Sequence, residues 1–395
     1  MRRIDLAKVK TQVARSNTIR NINKQIVLNY VREREPISRA CIAREIALQR
    51  STVSSIVNSL VDEGFVEEIG AGASSGGRKP TMLQLRRDEA VAIGVDITPT
   101  VTTVATANLV GEILEKDTFQ TSPDSAQTFD RLVKSLNNLR PRFKNKSIEI
   151  GISVPGMVDE TSGVVTYVPY FQWKNWKLKQ KVEQKIGLPV VVDNDANAIA
   201  LAELWFGSPE VRNVKNFVSV LVVDGIGTGI IFEGQIYRGN SGAAGEFGHM
   251  VIGGQENDVL CSCGNTQCWE AFASNTATVS RYATLQNHKK TEIDEIFRLA
   301  QKGDPAALKI VRETTQYLGL GIVNLIVGLS PEAVIISGKI AAVWPLIEKK
   351  LFATIEKNIR QKLPPIKIIA STLGDQPTLI GAISLSLVNK FASAT

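Results

Sequence analysis

Gly245-Glu-Phe-Gly-His249 and, shortly after it, Cys261-Ser-Cys-Gly-Asn-Thr-Gln-Cys-Trp-Glu270 are the two most informative stretches of this 395-residue chain. They contain three of its four cysteines and one of its two histidines. One imidazole and three thiolates form the closed tetrahedral ligand set of a structural zinc, whereas a catalytic zinc keeps one position for water. The pattern therefore predicts structural Zn2+ bound by His249, Cys261, Cys263 and Cys268, with a disulfide or a chance cluster as the alternative.

Length and composition indicate two or three domains with substantial cores, since 44% of the residues are apolar. The sequence shows no charged-then-apolar leader and no apolar run long enough to span a bilayer, so no membrane partner is expected. Because three of the four cysteines are assigned to metal, we expect a cytoplasmic protein without a disulfide framework.

The excess positive charge is concentrated in the N-terminal part of the chain. Residues 1–90 contain 16 lysines and arginines against 10 aspartates and glutamates, whereas the remaining residues contain 30 against 29. A basic module joined to a near-neutral body indicates that the module binds a polyanion, although a solvated basic face would give the same counts.

This basic module has the pattern of three short helices. Apolar residues at helical spacing predict a helix over 22–31 that ends before Pro36. Ser38 is a natural N-cap for a second helix over 39–47, and a third is expected over 52–63. The outer face of the third helix carries small hydroxyl and amide side chains, which are typical of a recognition helix in a DNA major groove.

A flexible loop follows the three helices. Two apolar runs, 65–66 and 82–85, enclose a Gly- and Ser-rich segment that ends in Arg78 and Lys79. The pattern predicts a wing whose cations contact phosphates or enter the minor groove, and thus a winged helix-turn-helix. A helical dimerisation domain with a linker is the alternative. The residues expected to contact DNA are Arg39, Arg50, Ser51, Thr52, Ser54, Ser55, Asn58, Arg78 and Lys79.

The body of the chain, from residue 90 onward, has an α/β pattern. Strands are predicted over 90–97, 101–107, 148–154, 190–192, 217–223, 229–232 and 333–337. Helices are predicted over 126–139, over 176–186, in much of 271–329, and from 378 to the end. Two sets of strands, each with a Gly-rich turn, indicate two lobes around a cleft.

The order of motifs in this body resembles the ROK family of sugar kinases and sugar-responsive repressors. The motifs are Val154-Pro-Gly156, Asn194-Asp-Ala-Asn197 with Glu203, Gly225-Ile-Gly-Thr-Gly229, and the two stretches quoted first. Three N-terminal segments are similar to the xylose-repressor branch: Pro36-Ile-Ser-Arg39, Ser51-Thr-Val-Ser-Ser55 and Ser74-Ser-Gly-Gly-Arg-Lys-Pro80. The resemblance covers the whole chain and implies a two-lobed actin/hexokinase-like (ribonuclease H-like) body with a zinc knot. One departure is Gln267, because the family usually has Gly just before the last cysteine.

The resemblance also implies a sugar in the cleft. The residues that match the family's sugar contacts are Gly156, Asn194, Asp195, Glu246, His249 and Glu270. Carboxylates and amides suit this role because paired sugar hydroxyls both donate and accept hydrogen bonds. His249 would serve zinc with one ring nitrogen and sugar with the other. Glu246 and Glu270 could instead be surface or metal-supporting carboxylates, and Trp173 and Trp176 fit either the core or an aromatic wall beside the sugar.

Asp195 matches the family's catalytic base and on its own favours an enzyme. ROK kinases, however, end their first strand in Asp-Ile-Gly-Gly-Thr, whose backbone holds phosphate, and this chain has Asp96-Ile-Thr-Pro-Thr100. Proline removes an amide donor and restricts φ, so this loop opposes phosphate binding. We therefore expect no catalytic residues and a repressor whose sugar ligand alters its DNA affinity. The alternative is a ROK sugar kinase with an appended DNA-binding module.

The predicted organisation is a DNA-binding domain over 1–85, a first lobe over 86–195 with about 380–395, and a second lobe over 196–379 carrying the zinc site and dimer surface. Expected partners are operator DNA and a monosaccharide. A helix-turn-helix usually binds DNA as a homodimer, and a tetramer is the alternative. Xylose follows from the branch, glucose or N-acetylglucosamine would use the same polar groups, and some relatives respond to a partner protein instead.

Overall fold

The computed structural model describes residues 16–72, 79–87, 91–143, 147–211, 214–253, 259–288, 291–359 and 363–391. The chain divides into two compact units, residues 1–91 with 387–395 and residues 92–386. The lobe boundaries predicted within the second unit stay a prediction. Among the described residues, no helix combines the length and the apolar character needed to cross a membrane.

Among its described residues up to position 87, the N-terminal unit has three helices and a small antiparallel sheet with strand order β1-β3-β2. Its elements are α1 Ser16–Arg34, β1 Ile37–Ser38, α2 Arg39–Glu45, α3 Arg50–Asp62, β2 Val66–Ala71 and β3 Thr81–Leu85. Ser38 caps α2 as predicted, with its side chain accepting a hydrogen bond from Cys41 N at 3.3 Å. Val53, Val57 and Leu60 of α3 are fully buried, so the opposite face of this helix is left to solvent. The order of elements is the one predicted for a winged helix-turn-helix.

The second unit is built on two five-stranded sheets. The first sheet has the order β11-β7-β4-β5-β6, and β8, β9 and β10 form a separate three-stranded sheet. The elements of this part are β4 Val91–Ile97, β5 Val101–Ala107, β6 Ile113–Gln120, α4 Ser125–Phe143, β7 Ser147–Val154, β8 Met157–Asp159, β9 Val164–Val168, β10 Trp173–Trp176, α5 Leu178–Ile186 and β11 Val190–Asn194.

The second five-stranded sheet repeats the topology of the first. Its order is β14-β13-β12-β15-β16, with its first three strands antiparallel and β15 added parallel to β12. The elements are α6 Asp195–Phe206, β12 Phe217–Val222, β13 Ile226–Phe232, β14 Gln235–Ile236, α7 Trp269–Ala273, α8 Asn275–Leu285, α9 Ile293–Gln301, α10 Pro305–Leu329, β15 Ala333–Gly338, α11 Trp344–Asn358, β16 Lys367–Ala370 and α12 Pro377–Phe391. Two similar sheets in one unit agree with the two-lobed α/β body that the sequence predicts.

Several local predictions differ from the structure. Trp176 ends strand β10 and does not begin a helix, because α5 starts at Leu178. The Gly225–Gly229 motif is mostly strand β13, which starts at Ile226. A β-carbon on Gly229 would lie 2.3 Å from Ala196 O, so this glycine is needed for α6 to pack on β13. The sequence also gives no sign of β6, whose residues are largely polar and exposed, or of the short strands β8, β9, β14 and β16.

Trp269 anchors the helical half of the second unit. Its indole is fully buried, and its Nε1 donates to Tyr317 O of α10 at 3.0 Å. A β-carbon on Gly321 of α10 would lie 2.0 Å from Trp269 Cε2, so the ring fills the space that a side chain would occupy. Because Trp269 is flanked by Cys268 and Glu270, its packing fixes the position of two candidate site residues.

We expect Gly321→Ala to lower the free energy of unfolding by about 3 kcal/mol, because the added methyl group displaces the Trp269 indole from its contact with α10. Gly328→Ala is the matched control in the same helix, since nothing lies within 4 Å of a β-carbon there. Its higher helix propensity should leave stability unchanged or raise it by up to about 1 kcal/mol. Thermal and urea denaturation of both variants measure the difference, and equal stabilities would contradict this account of the packing.

Candidate functional site

His249, Cys261, Cys263 and Cys268 form a compact cluster. Their four candidate ligand atoms all lie within 4.8 Å of one another. Cys263 Sγ is 3.8 Å from Cys268 Sγ, and Cys261 Sγ is 3.7 Å from His249 Nδ1. Tetrahedral zinc with Zn–S bonds of about 2.3 Å would place its sulfur ligands about 3.8 Å apart, so the donor set and spacing fit a metal ion. Burial raises the pKa of the Cys261 and Cys268 thiols, so a cation would be needed to hold them as thiolates.

The backbone around the cluster is folded into tight turns. Cys261 N donates to Asn265 O at 2.8 Å, and Gly264 N donates back to Cys261 O at 3.0 Å. Gln267 has a φ of +63°, in the left-handed region that favours glycine. This positive φ explains why glycine is usual at this position in the family that the sequence resembles. The turn nevertheless forms with glutamine.

Asn194 and Gly156 lie together at the carboxyl ends of neighbouring parallel strands. Asn194 Nδ2 donates to Gly156 O at 3.0 Å, and its Oδ1 accepts from Ala196 N at 2.9 Å as the N-cap of α6. A β-carbon on Gly156 would lie 2.3 Å from Tyr167 O, so only glycine fits there. Asn194 therefore connects the β7–β8 turn to the start of α6.

Asp195 follows at the first turn of α6, close to a second carboxyl group. Asp96 is buried at the end of β4, where it accepts hydrogen bonds from Ser153 Oγ at 2.7 Å and Thr378 Oγ1 at 2.6 Å. Burial, together with the charge of Asp96, raises the pKa of Asp195 to about 7. Near neutral pH this carboxyl can therefore accept a proton or release one.

Glu246, His249 and Glu270 are placed by the second sheet and the cysteine cluster. His249 Nε2 lies 3.8 Å from Glu246 Oε2, and His249 Nδ1 lies 3.7 Å from Glu270 Oε1. Glu270 Oε1 also accepts from Ser262 Oγ at 3.1 Å, while its Oε2 accepts from Ile226 N at 3.4 Å. The charge of Glu246 contributes to the raised pKa of Asp195, so the carboxylates of the two sheets act on one another. The arrangement offers several hydrogen-bond acceptors to a polyhydroxylated ligand.

The aromatic residues between positions 170 and 176 divide into core and surface. Trp173 and Trp176 are each only 5% exposed and contact each other edge to face at 4.8 Å, which supports the core interpretation. Tyr170, three residues before Trp173, is 48% exposed. Sequence reasoning missed this residue, and its position after Pro169 in a β-turn was the available signal.

Arg238 is a second residue that the sequence did not reveal. It donates to Asp193 Oδ2 from Nη2 at 2.6 Å and from Nε at 3.1 Å, and its Nε lies 3.2 Å from Glu160 Oε2. Asp193 is at the end of β11 in the first sheet, whereas Arg238 follows β14 in the second. Asp193 Oδ1 also accepts from Asn197 Nδ2 at 3.0 Å. This ion pair therefore fixes the segment before Glu246 to the strand that presents Asn194 and Asp195.

The segment that corresponds to a phosphate loop is closed on itself. Thr98 N donates to Val101 O at 2.9 Å, and Val101 N donates to Thr98 Oγ1 at 3.1 Å. Pro99 has no amide hydrogen. Three of the four amide positions from 98 to 101 are thus unable to bind a phosphate.

The predicted DNA-binding residues lie mostly on the outer face of α3. Arg50, Ser51, Ser55, Asn58 and Lys79 are exposed, Thr52 and Ser54 are partly buried, and Arg78 lies outside the described residues. Arg39 Nη1 donates to Asn58 Oδ1 at 2.8 Å, and its Nη2 donates to Glu68 Oε1 at 2.8 Å. Arg39 and Asn58 therefore bind each other, which connects α2, α3 and the wing strand β2.

Comparison with known proteins agrees with these features. The model of the ROK family matches residues 92–389. The chain is 34% identical over 386 residues to a xylose repressor of Caldicellulosiruptor bescii, covering 93% of this chain and 96% of that protein. A solved ROK family transcriptional regulator, a homolog of the E. coli MLC protein, is 28% identical with a TM-score of 0.79 and covers 95% and 98%. A ROK family glucokinase from Streptomyces griseus, solved with glucose and AMPPNP, has 29% identity and a TM-score of 0.67 but covers only 75% of this chain and 99% of its own.

Replacement of Arg238 by Gln is expected to lower the free energy of unfolding by about 3 kcal/mol, because it leaves the nearly buried Asp193 carboxylate without its cation. Arg298→Gln is the control, since its ion pair with Glu295 is exposed and should contribute about 0.5 kcal/mol or less. Urea denaturation compares the two variants. Similar small losses in both would show that the Arg238–Asp193 pair does not hold the two sheets together.

Proposed function

This chain belongs to the ROK family, and we propose that it is a sugar-responsive transcriptional repressor of a carbohydrate-utilisation operon. A homodimer binds a two-fold operator through its winged helix-turn-helix modules. A monosaccharide binds in the cleft of the body and releases the DNA. Operator binding places the protein in the cytoplasm. Relatives named as xylose repressors make D-xylose the first candidate for the ligand.

The observation that carries this proposal is the outer face of α3. Its inner residues form the core of the N-terminal unit, while Arg50, Ser51 and Ser55 are exposed next to one another. Arginine and small hydroxyl side chains at the start of a recognition helix can contact base edges and phosphates in the major groove. Lys79 lies at the base of the wing, where a cation can contact the backbone of the same DNA.

We assign Gly156, Asn194, Asp195, Glu246, His249 and Glu270 to the sugar. They come from the ends of β7 and β11 on one side and from the cysteine-cluster region on the other. Closing both groups around one ligand requires the two sheets to adopt a defined arrangement. A ligand that prefers the arrangement incompatible with DNA must lower operator affinity, and a tenfold effect needs about 1.4 kcal/mol of coupling.

The kinase alternative is disfavoured by the turn over residues 98–101. A kinase must hold the triphosphate as well as the sugar, and this turn uses its own amides to close itself. Asp96, at the end of the same strand, is already bound by two hydroxyl groups. Asp195 then serves as a sugar ligand and not as a catalytic base.

The metal in the cluster is proposed to be structural zinc. His249, Cys261, Cys263 and Cys268 supply the complete tetrahedral set, so no coordination position remains for water or substrate. Zinc would cross-link the chain around His249 and thereby orient the imidazole and Glu270 toward the cleft.

The purified protein should contain one zinc per chain, measured by elemental analysis. Cys263→Ser should remove most of the zinc and lower the melting temperature, because metal binding contributes to folding of the knot. Cys41→Ser is the matched control: Cys41 lies in α2, outside the cluster, and its loss should leave the zinc content unchanged. Wild-type protein without zinc would refute the assignment.

Operator affinity should fall at least tenfold when the sugar is bound, measured by titrating labelled operator DNA with and without D-xylose, D-glucose or N-acetyl-D-glucosamine. Asp195→Ala and Glu246→Ala should abolish this response and leave sugar-free operator affinity intact. Glu348→Ala, at an exposed position of α11, is the control that should respond like the wild type.

Arg50→Ala should weaken operator binding with or without sugar.

Equal operator affinity in the presence and absence of every sugar would contradict sugar-induced release. Transfer of phosphate from ATP to any of the three sugars at about 1 per second or faster would favour the kinase alternative.

A further inference from the structure

The proposed sugar site is rich in acceptors and poor in donors. The carboxylate groups of Glu246 and Glu270 accept hydrogen bonds and donate none, and Asp195 can donate only when it is protonated, whereas each sugar hydroxyl donates one and can accept two. The Asn194 amide is largely engaged, because its oxygen caps α6 and one of its N–H groups is bound to Gly156 O. A sugar bound there needs further donors to satisfy its oxygen lone pairs.

Tyr170 is presented to this site on a firmly anchored turn. The turn joins β9 to β10, and Gln172 N donates to Pro169 O across it at 3.4 Å. Phe171 stacks on Trp173 at 4.6 Å, and Trp173 Nε1 donates to Pro123 O at 2.6 Å. Phe171 and the buried Trp173 thus anchor the turn, while the ring of Tyr170 remains half exposed.

The Tyr170 hydroxyl lies across Gly225 from Glu270. A β-carbon on Gly225 would be 3.7 Å from the Tyr170 hydroxyl oxygen and 2.7 Å from Glu270 Oε2. Both groups therefore border the same small space above Gly225, which has no side chain to fill it. Burial, with the charges of Asp224, Asp195 and Glu270, raises the pKa of Tyr170, so its phenol stays protonated and able to donate.

We propose that Tyr170 is a further sugar-binding residue. Its hydroxyl donates a hydrogen bond to one hydroxyl group of the sugar, and that same sugar hydroxyl donates to Glu270. This inference rests on the proposed sugar site and extends it with a donor. The phenol supplies what the carboxylates lack, and the flat ring contributes apolar surface for the C–H groups of a pyranose.

Calorimetric titration of the full-length protein with D-xylose, D-glucose and N-acetyl-D-glucosamine tests this role. Tyr170→Phe removes only the hydroxyl and should weaken the best-bound sugar by about five- to tenfold, the effect of one hydrogen bond. Tyr167→Phe is the control on the adjacent strand, since Tyr167 is also partly exposed, and it should bind like the wild type.

Monodeoxy analogues of that sugar separate a direct contact from a structural effect. The analogue that lacks the contacted hydroxyl should bind the wild type and Tyr170→Phe equally, while the other analogues keep the five- to tenfold difference. A uniform difference across all analogues would overturn the direct contact and assign the loss to altered structure.

Asp195→Ala, titrated in parallel, distinguishes failure of the inference from failure of the proposed function. If Asp195→Ala loses the sugar and Tyr170→Phe retains wild-type affinity, the Tyr170 contact is wrong and the sugar site stands. If Asp195→Ala binds like the wild type, or if none of the three sugars binds the wild type, the sugar site itself is wrong and the Tyr170 contact fails with it.

Discussion

The close packing of helix α6 against β13 and α12 is the constraint on which the candidate site depends. A β-carbon on Gly229 of β13 would lie 2.3 Å from Ala196 O, and one on Gly381 of α12 would lie 2.9 Å from Ala198 C. At the far end of the helix, Glu203 accepts from Ser337 Oγ of β15 at 3.2 Å. Helix α6 directly follows β11 of one sheet and packs on β13 of the other. The position of α6 therefore determines how the two sheets face each other. Asn194 and Asp195 stand at the N-terminus of this helix, so the candidate ligand groups depend on that packing.

The partners of three aspartates, Asp96, Asp193 and Asp195, indicate how a family that includes kinases can also include a sugar-responsive repressor. Asp96 accepts hydrogen bonds from two hydroxyl groups, Asp193 is paired with Arg238, and Asp195 is only partly buried. Each of the first two carboxyl groups is satisfied within the protein, which removes the cost of burying it. The groups proposed to contact a sugar are retained, whereas three of the four amide positions of the turn over residues 98–101 are unable to bind a phosphate.

The features predictable from sequence are those set by neighbours along the chain. Ser38 as an N-cap, the apolar face of α3 and the His249 and cysteine spacing all depend on a few consecutive residues, and the structure brings each of these together. The α/β body with two sets of strands was predictable from periodicity. Arg238 and Tyr170 were not, because their roles arise from contacts with residues distant in the chain, such as Asp193 and Glu270. The short strands β8 to β10 escaped prediction for the same reason, since their formation depends on pairing more than on local pattern.

Glu270 connects the cysteine cluster to the residues proposed to bind the sugar. Glu270 lies 3.0 Å from Cys261 Sγ on one side and accepts from Ile226 N on the other, next to Gly225. Trp269 packs on Gly321 and thereby holds α7, the helix that contains Glu270, against α10. A bound metal would hold Glu270 and His249 in place, so in the proposed function ligand-dependent movement would occur where the two groups of proposed sugar residues approach each other. The Arg238–Asp193 pair joins the two sheets, so in the proposed function the free energy of this pair, set against the contacts of the ligand, would limit how far sugar binding shifts the arrangement of the body.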